Sequence, residues 1–155
     1  MTSSIATRKP DLAMRTKLMR LQEAMLADST TQVETPVTHH FAHGTYAREM
    51  FIPAGVTVVG KIHKHHSLNV LLSGDVSVLT ESGIRRVAPG EVVESFPGIK
   101  RAAYAHVDSR WLTIHGTHDT DLERIENEFI AQSYEEYDSF AKQQLAQEVQ
   151  PCLGE

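Results

Sequence analysis

The chain has 155 residues, a size at which one domain buries roughly 70% of its unfolded surface, so a core forms without staples. A hydrophobic fraction of 41%, a charged fraction of 23% and a net charge of -5 are ordinary for a soluble globular protein and argue against wholesale nucleic-acid binding. The one cysteine, Cys152, excludes an intrachain disulfide framework, no apolar run approaches the ~18 residues of a membrane span, and MTSSIATRKPDLAM lacks an apolar signal region. The expectation is a cytoplasmic protein with no membrane partner.

Residues 1–10 read as a tail, and 1–30 as a unit of tail plus helix. Pro10 and Asp11 open the helix, which carries Leu12, Leu18, Leu21, Met25 and Leu26 as a stripe and ends near Asp28. Such a stripe calls for cover from the domain or a neighbouring subunit, so a homo-oligomer, dimer or larger, is expected.

From Val37 the period changes. Segments such as YAREMFI, VTVVGKIH, LNVLLS, DVSVLT, EVVESF and RWLTIH are short and rich in Val, Ile, Thr and aromatics, with turn signals such as PAG, SGD, ESG and APGE between them. Strands at this spacing with no helix between them predict a mainly β sandwich or small barrel over 37–116. The predicted core is Phe51, Val58, Ile62, Leu68, Val70, Leu72, Val76, Val78, Val92, Leu112 and Ile114, some of them on a face between subunits.

Two helices are expected over 119–148. Thr120 with Glu123 forms one capping box and Ser133 with Glu136 a second; Leu122, Ile125 and Phe129, then Tyr134, Tyr137 and Phe140, supply the apolar faces. Residues 149–155 read as tail. Arg8, Lys9, Arg15, Lys17 and Arg20 make the first helix basic, while Asp119, Asp121, Glu123, Glu126, Glu128, Glu135, Glu136 and Asp138 make the last ones acidic. These faces pair between subunits, meet a partner, or stand solvated.

The chemistry gathers in GKIHKHHSLNV. Side chains alternate along a strand, so His63 and His65 point one way and His66 the other. Two neutral imidazoles on one wall are placed to share a metal ion. GKIHKHHSLNVLLSGDVSV followed by VAPGEVVESFPGIKRAAYAH resembles the two motifs of the cupin superfamily, over about Tyr46 to His115. The resemblance implies a jelly-roll double-stranded β-barrel, an oligomer, and a metal held by His63 and His65. A weaker resemblance, through YAREMFIPAG, GKIHKH and RWLTIH, is to small uncharacterised cupin-like proteins of tailed bacteriophages.

The departures from the family motifs shape the functional reading. Asn69 stands where the family has a glutamate ligand, and Gly74 arrives early. Arg101 occupies the place of the last metal histidine and has no lone pair to give. His115, on the face shared with Trp111 and Thr113, is the candidate replacement, with His40 another. A metal on His63, His65, Asn69 and His115 would be Zn, Fe, Mn or Ni. Arg101 offers a planar fork for a carboxylate or phosphate, or else forms a salt bridge with Glu49 or Glu94. Two functional classes follow. One is a cupin-like protein with a metal- or small-molecule-binding cavity at His63 and His65. The other is a barrel without catalysis, serving as a binding or structural module, for example in a phage assembly.

Overall fold

The computed structural model of the chain describes residues 9–149; the expected tails at 1–8 and 150–155, with Cys152, lie outside the described residues. Helix α1, Leu12–Ala27, begins at Asp11, whose carboxylate accepts from the Met14 amide at 2.9 Å. A short 3-10 turn, Ser29–Thr31, follows. The strands are β1 (Val37–Ala42), β2 (Thr45–Ile52), β3 (Thr57–Val59), β4 (Ile62–His63), β5 (Ser67–Ser73), β6 (Val76–Thr80), β7 (Gly83–Val87), β8 (Val92–Ser95), β9 (Ala102–Ala105) and β10 (Ser109–Gly116). Helix α2 (Leu122–Phe129), β11 (Ile130–Ala131) and helix α3 (Tyr134–Val149) complete the chain.

The strands form a five-stranded sheet in the order β1-β2-β10-β5-β8 and a four-stranded sheet in the order β3-β9-β6-β7, with β11 paired to β4. Every pair is antiparallel. Leu71 and Val93 from the first sheet and Val76, Val78 and Val87 from the second pack as one cluster, each no more than 3% exposed. That cluster closes one side of the barrel, and each of its side chains contributes roughly 1.5–3 kcal/mol by leaving water.

The predicted core needs one correction of phase. Ile62, Val76 and Val78 are buried as expected, but Phe51, Leu68, Leu72 and Val92 are 37%, 42%, 37% and 53% exposed. On β5 the inward residues are Ser67, Asn69 and Leu71. The apolar phase of LNVLLS is Leu68, Val70 and Leu72, so alternation alone points to the wrong face, and the phase carrying Asn69 and Leu71 turns inward. Leu71 in the inter-sheet cluster and the hydrogen bonds of Asn69 fix it.

The terminal helices pack on the barrel of their own chain. Leu18 is the buried residue of α1, at 2% exposure. Arg15 donates both ends of its guanidinium to Asp138 on α3, at 2.8 and 2.9 Å, and lies 4.3 Å over the Tyr134 ring. The opposite charges of the first and last helices thus meet within one chain. The first capping box is displaced by one residue: Asp121, not Thr120, caps α2, accepting from the Arg124 amide. The Ser133 hydroxyl accepts from the Glu136 amide at 3.1 Å, and Glu136 accepts from the Gln132 amide at 2.9 Å, so α3 starts near where the sequence places it.

Gly98 sets how closely α3 approaches. Its φ is +86°, and a Cβ there would lie 2.7 Å from the Tyr137 ring. The turn it makes is tied to β4, because the Gly98 amide donates to the His63 carbonyl at 2.7 Å and the His63 amide to the Ile99 carbonyl at 3.2 Å. One turn therefore positions His63 and delivers the chain to Arg101.

Candidate functional site

Register places the inward side chains of the five-stranded sheet in rows. Arg48 on β2 sits opposite Thr113 on β10, Thr113 opposite Asn69 on β5, and Asn69 opposite Val93 on β8. The next row pairs Tyr46 with His115, and on the other side Met50 lies opposite Trp111. All of these except Val93, which packs in the inter-sheet cluster, line a cavity of about 830 Å³ together with His63, Ser95 and Arg101 and with Ile125 and Phe129 of α2. That volume suits a small-molecule ligand.

His63 and His115 stack in this cavity, ring centroids 5.6 Å apart and planes 17° off parallel. Phe129 lies against His115 at 4.6 Å. The Nδ1 atoms of both histidines are buried and lack a hydrogen-bond partner among the described residues. Burial, then the charge of the other ring, then Arg101 push the His63 pKa down to about 4. Burial, then His65, then Arg48 push His115 down to about 4 as well. Both rings are neutral at physiological pH.

His65 goes elsewhere. Strand β4 ends at His63, so alternation does not carry through to His65 as the sequence reading assumed. The backbone turns there, with the Lys64 amide donating to the Phe129 carbonyl at 2.8 Å. The His65 ring packs edge-on against Phe129 at 5.5 Å and Phe140 at 5.4 Å, outside the residues that line the cavity. His40 also faces away, bonded to Glu49 at 2.9 Å, and the ring of that strand in the cavity lining is His39.

Asn69 lies in the cavity wall, and its amide is fully engaged. Its Nδ2 donates to the Val93 carbonyl at 3.2 Å and the Ser95 hydroxyl at 2.9 Å. Its Oδ1 accepts from Trp111 Nε1 at 3.2 Å and Thr113 Oγ1 at 2.9 Å. Two donors and two lone pairs are all that an amide has.

Arg101 also lines the cavity, and neither carboxylate suggested by the sequence reaches it. The Glu49 carboxylate meets His40 and Arg110, and the Glu94 carboxylate meets His66. Arg101 instead donates Nη1 to the Ser95 hydroxyl and Nη2 to the Glu94 backbone carbonyl at 3.0 Å. Its Nε is buried with no partner among the described residues. Burial lowers its pKa from the usual guanidinium value, with the Glu81 charge opposing, yet a guanidinium stays protonated.

Arg48 is the residue that sequence reasoning missed. It lines the cavity and makes no hydrogen bond or ion pair among the described residues. A signal was present, since Tyr46, Arg48, Met50 and Ile52 alternate along TYAREMFI and so share one face. The acidic residue among the lining, Glu126, is already paired with Lys61.

A metal ion of the kind the resemblance implies does not fit this donor set. His65 is turned away, the Asn69 oxygen has no lone pair free, and Arg101 is a cation. Among the described residues no three His, Cys, Asp or Glu side chains are grouped to hold a metal. Protein purified without a polyhistidine tag is therefore expected to carry well under one transition-metal ion per chain. Elemental analysis checks this, and a stoichiometric metal lost with His63→Ala would contradict it.

No protein-family model and no curated protein matches the sequence. Solved structures do resemble the fold. Ectoine synthase from P. lautus superposes with a TM-score of 0.50 at 14% identity, over 68% of this chain and 82% of that chain. A conserved protein with a double-stranded β-helix domain from Klebsiella pneumoniae has a TM-score of 0.49 at 10% identity, over 59% of this chain and 84% of that chain. A cupin superfamily protein from Desulfitobacterium hafniense has a TM-score of 0.48 at 13% identity, over 60% and 85%.

Proposed function

We propose that this cupin-type barrel binds a small anionic molecule in its cavity, with Arg101 as the principal anchor and no metal required. The observation that carries the reading is the Arg101 guanidinium. It lines the cavity, meets a neutral hydroxyl and a carbonyl, and forms no ion pair with a carboxylate among the described residues. A partly buried cation without a counter-charge is costly, and an anion supplies what is missing. Charge-assisted bonds from a planar fork suit a carboxylate or phosphate oxygen.

The neutral His63 and His115 rings fit this reading. They add polar edges to the cavity without adding positive charge. Trp111, Ile125 and Phe129 supply apolar surface to the same space. Binding of this kind needs no nucleophile, and the fold alone selects no reaction.

Thermal unfolding in phosphate-free buffer tests the reading. Added small carboxylates or phosphate should raise the melting temperature of the wild type. At a hundredfold excess over Kd the gain is about 2.7 kcal/mol, or roughly 5–10 °C for a chain of this size. Arg101→Ala should abolish the gain while the unliganded variant stays within about 1 kcal/mol of wild type, because no buried ion pair is broken. A loss of about 3–5 kcal/mol in the unliganded variant would show that Arg101 is a structural partner instead.

A further inference from the structure

Two guanidinium groups without an ion-pair partner among the described residues line the cavity. Arg48 projects from β2, in the row that runs through Thr113, Asn69 and Val93. Arg101 is tethered to Ser95 and to the Glu94 carbonyl on β8, at the far edge of the same sheet. From β2 to β8 the sheet order passes through β10 and β5, a backbone separation of about 14 Å at ~4.8 Å per strand. Asn69, Thr113 and Trp111 occupy the wall between, bonded to one another. The groups that feel each cation agree with this separation. His63 is pressed by both Arg101 and Arg48, whereas His115 is pressed by Arg48 without a contribution from Arg101.

The two cations differ in how they are held. Arg101 is fixed by two hydrogen bonds, so its guanidinium is held at a set position. Arg48 carries no such tether and is free to adjust to the length of a ligand. Glu126, paired with Lys61, also feels the Arg48 charge, and Glu81 acts on Arg101, yet neither guanidinium forms an ion pair among the described residues, so the cavity presents two positive groups.

Resting on the anion-binding reading of this cavity, we infer that the ligand is two-headed. It is a small dianion of the α,ω-dicarboxylate type, one carboxylate on Arg101, the other on Arg48, and its middle against the neutral imidazole of His63. A single carboxylate satisfies one guanidinium and leaves the other unpaired. A dianion neutralises both, and the neutral imidazole of His63, which feels both cations, accepts an uncharged chain.

Calorimetric titration separates this inference from the reading beneath it. The probes are succinate, glutarate and adipate, with butyrate and inorganic phosphate as controls, against wild type, Arg101→Gln and Arg48→Gln. At least one dicarboxylate should bind about tenfold or more tightly than butyrate, a difference of about 1.4 kcal/mol. Each substitution should remove that advantage, and Arg48→Gln should weaken the dicarboxylate at least tenfold more than it weakens butyrate. Arg48→Lys, which keeps charge but loses the fork, should recover part of the dicarboxylate affinity. If dicarboxylates bind no better than butyrate, or Arg48→Gln changes nothing while Arg101→Gln abolishes binding, the ligand is one-headed and the inference falls while the anion site stands. If phosphate outbinds every dicarboxylate and needs both arginines, one anion bridges them and the inference falls. If no probe shows dependence on Arg101, the anion-binding reading falls with it.

Discussion

Asn69→Ala is expected to cost on the order of 3–5 kcal/mol of folding stability, the largest loss from a single substitution in the cavity wall. Asn69 is 5% exposed and joins three strands through four hydrogen bonds. Truncation leaves the Trp111 indole N–H and the Thr113 hydroxyl without their shared acceptor. It also takes a donor from the Val93 carbonyl and from the Ser95 hydroxyl, which keeps its bond from Arg101. Each buried group stranded this way costs about 1–3 kcal/mol, partly relieved where water enters from the cavity. The check is a denaturant titration, in which the midpoint should fall with little change in slope. A loss below about 1 kcal/mol would show that these bonds are replaced easily and that Asn69 is free for another role. Asn69→Asp should be milder toward Trp111 and Thr113, whose acceptor it keeps, and damaging toward the Val93 carbonyl, which it would face with a negative charge.

Acid sensitivity is the second large effect. His63 and His115 have folded pKa values near 4 against an ordinary value of 6.5, because burial and neighbouring cations oppose their protonation. Above pH 6.5 both are neutral whether folded or unfolded, and stability is independent of them. As pH falls from 6.5 toward 4, the unfolded chain takes up protons that the folded chain does not, so stability declines. The full shift corresponds to on the order of 3 kcal/mol for each ring. Unfolding free energies measured between pH 7 and pH 4.5 should show this slope before most carboxylates titrate. His115→Gln should remove roughly half of it. A flat profile over that range would mean that the two rings are solvated and are not the dry pair described above.

The sequence carried the architecture because that depends on features summed over many residues. Short β-branched segments, turn glycines and a return to helical period after His115 leave little choice but a small barrel flanked by helices. The site was legible only where local rules hold. Trp111, Thr113 and His115 lie on one long strand, and alternation puts them on one face. His65 escaped because β4 stops at His63, and strand length is set by the tertiary pairing of β4 with β11, which no local pattern announces. Asn69 read as a weakened ligand, since its hydrogen-bond partners lie 24 to 44 residues away in sequence. Arg48 was visible as an inward position on β2, but its lack of a partner is a property of the folded chain. The pairings Arg15–Asp138 and Lys61–Glu126 were equally hidden, because sequence shows which charges exist and not which of them meet.

The central claim is that an anion in the cavity binds the Arg101 guanidinium. The most direct measurement follows its Nε–H group by ¹H–¹⁵N spectroscopy, with the resonance assigned from Arg101→Lys. In phosphate-free buffer the signal should report an unbonded donor. On titration with glutarate it should move downfield and saturate along the same curve as the calorimetric binding isotherm. A signal that stays in place while the ligand binds, or that already reports a strong hydrogen bond without ligand, would contradict the account.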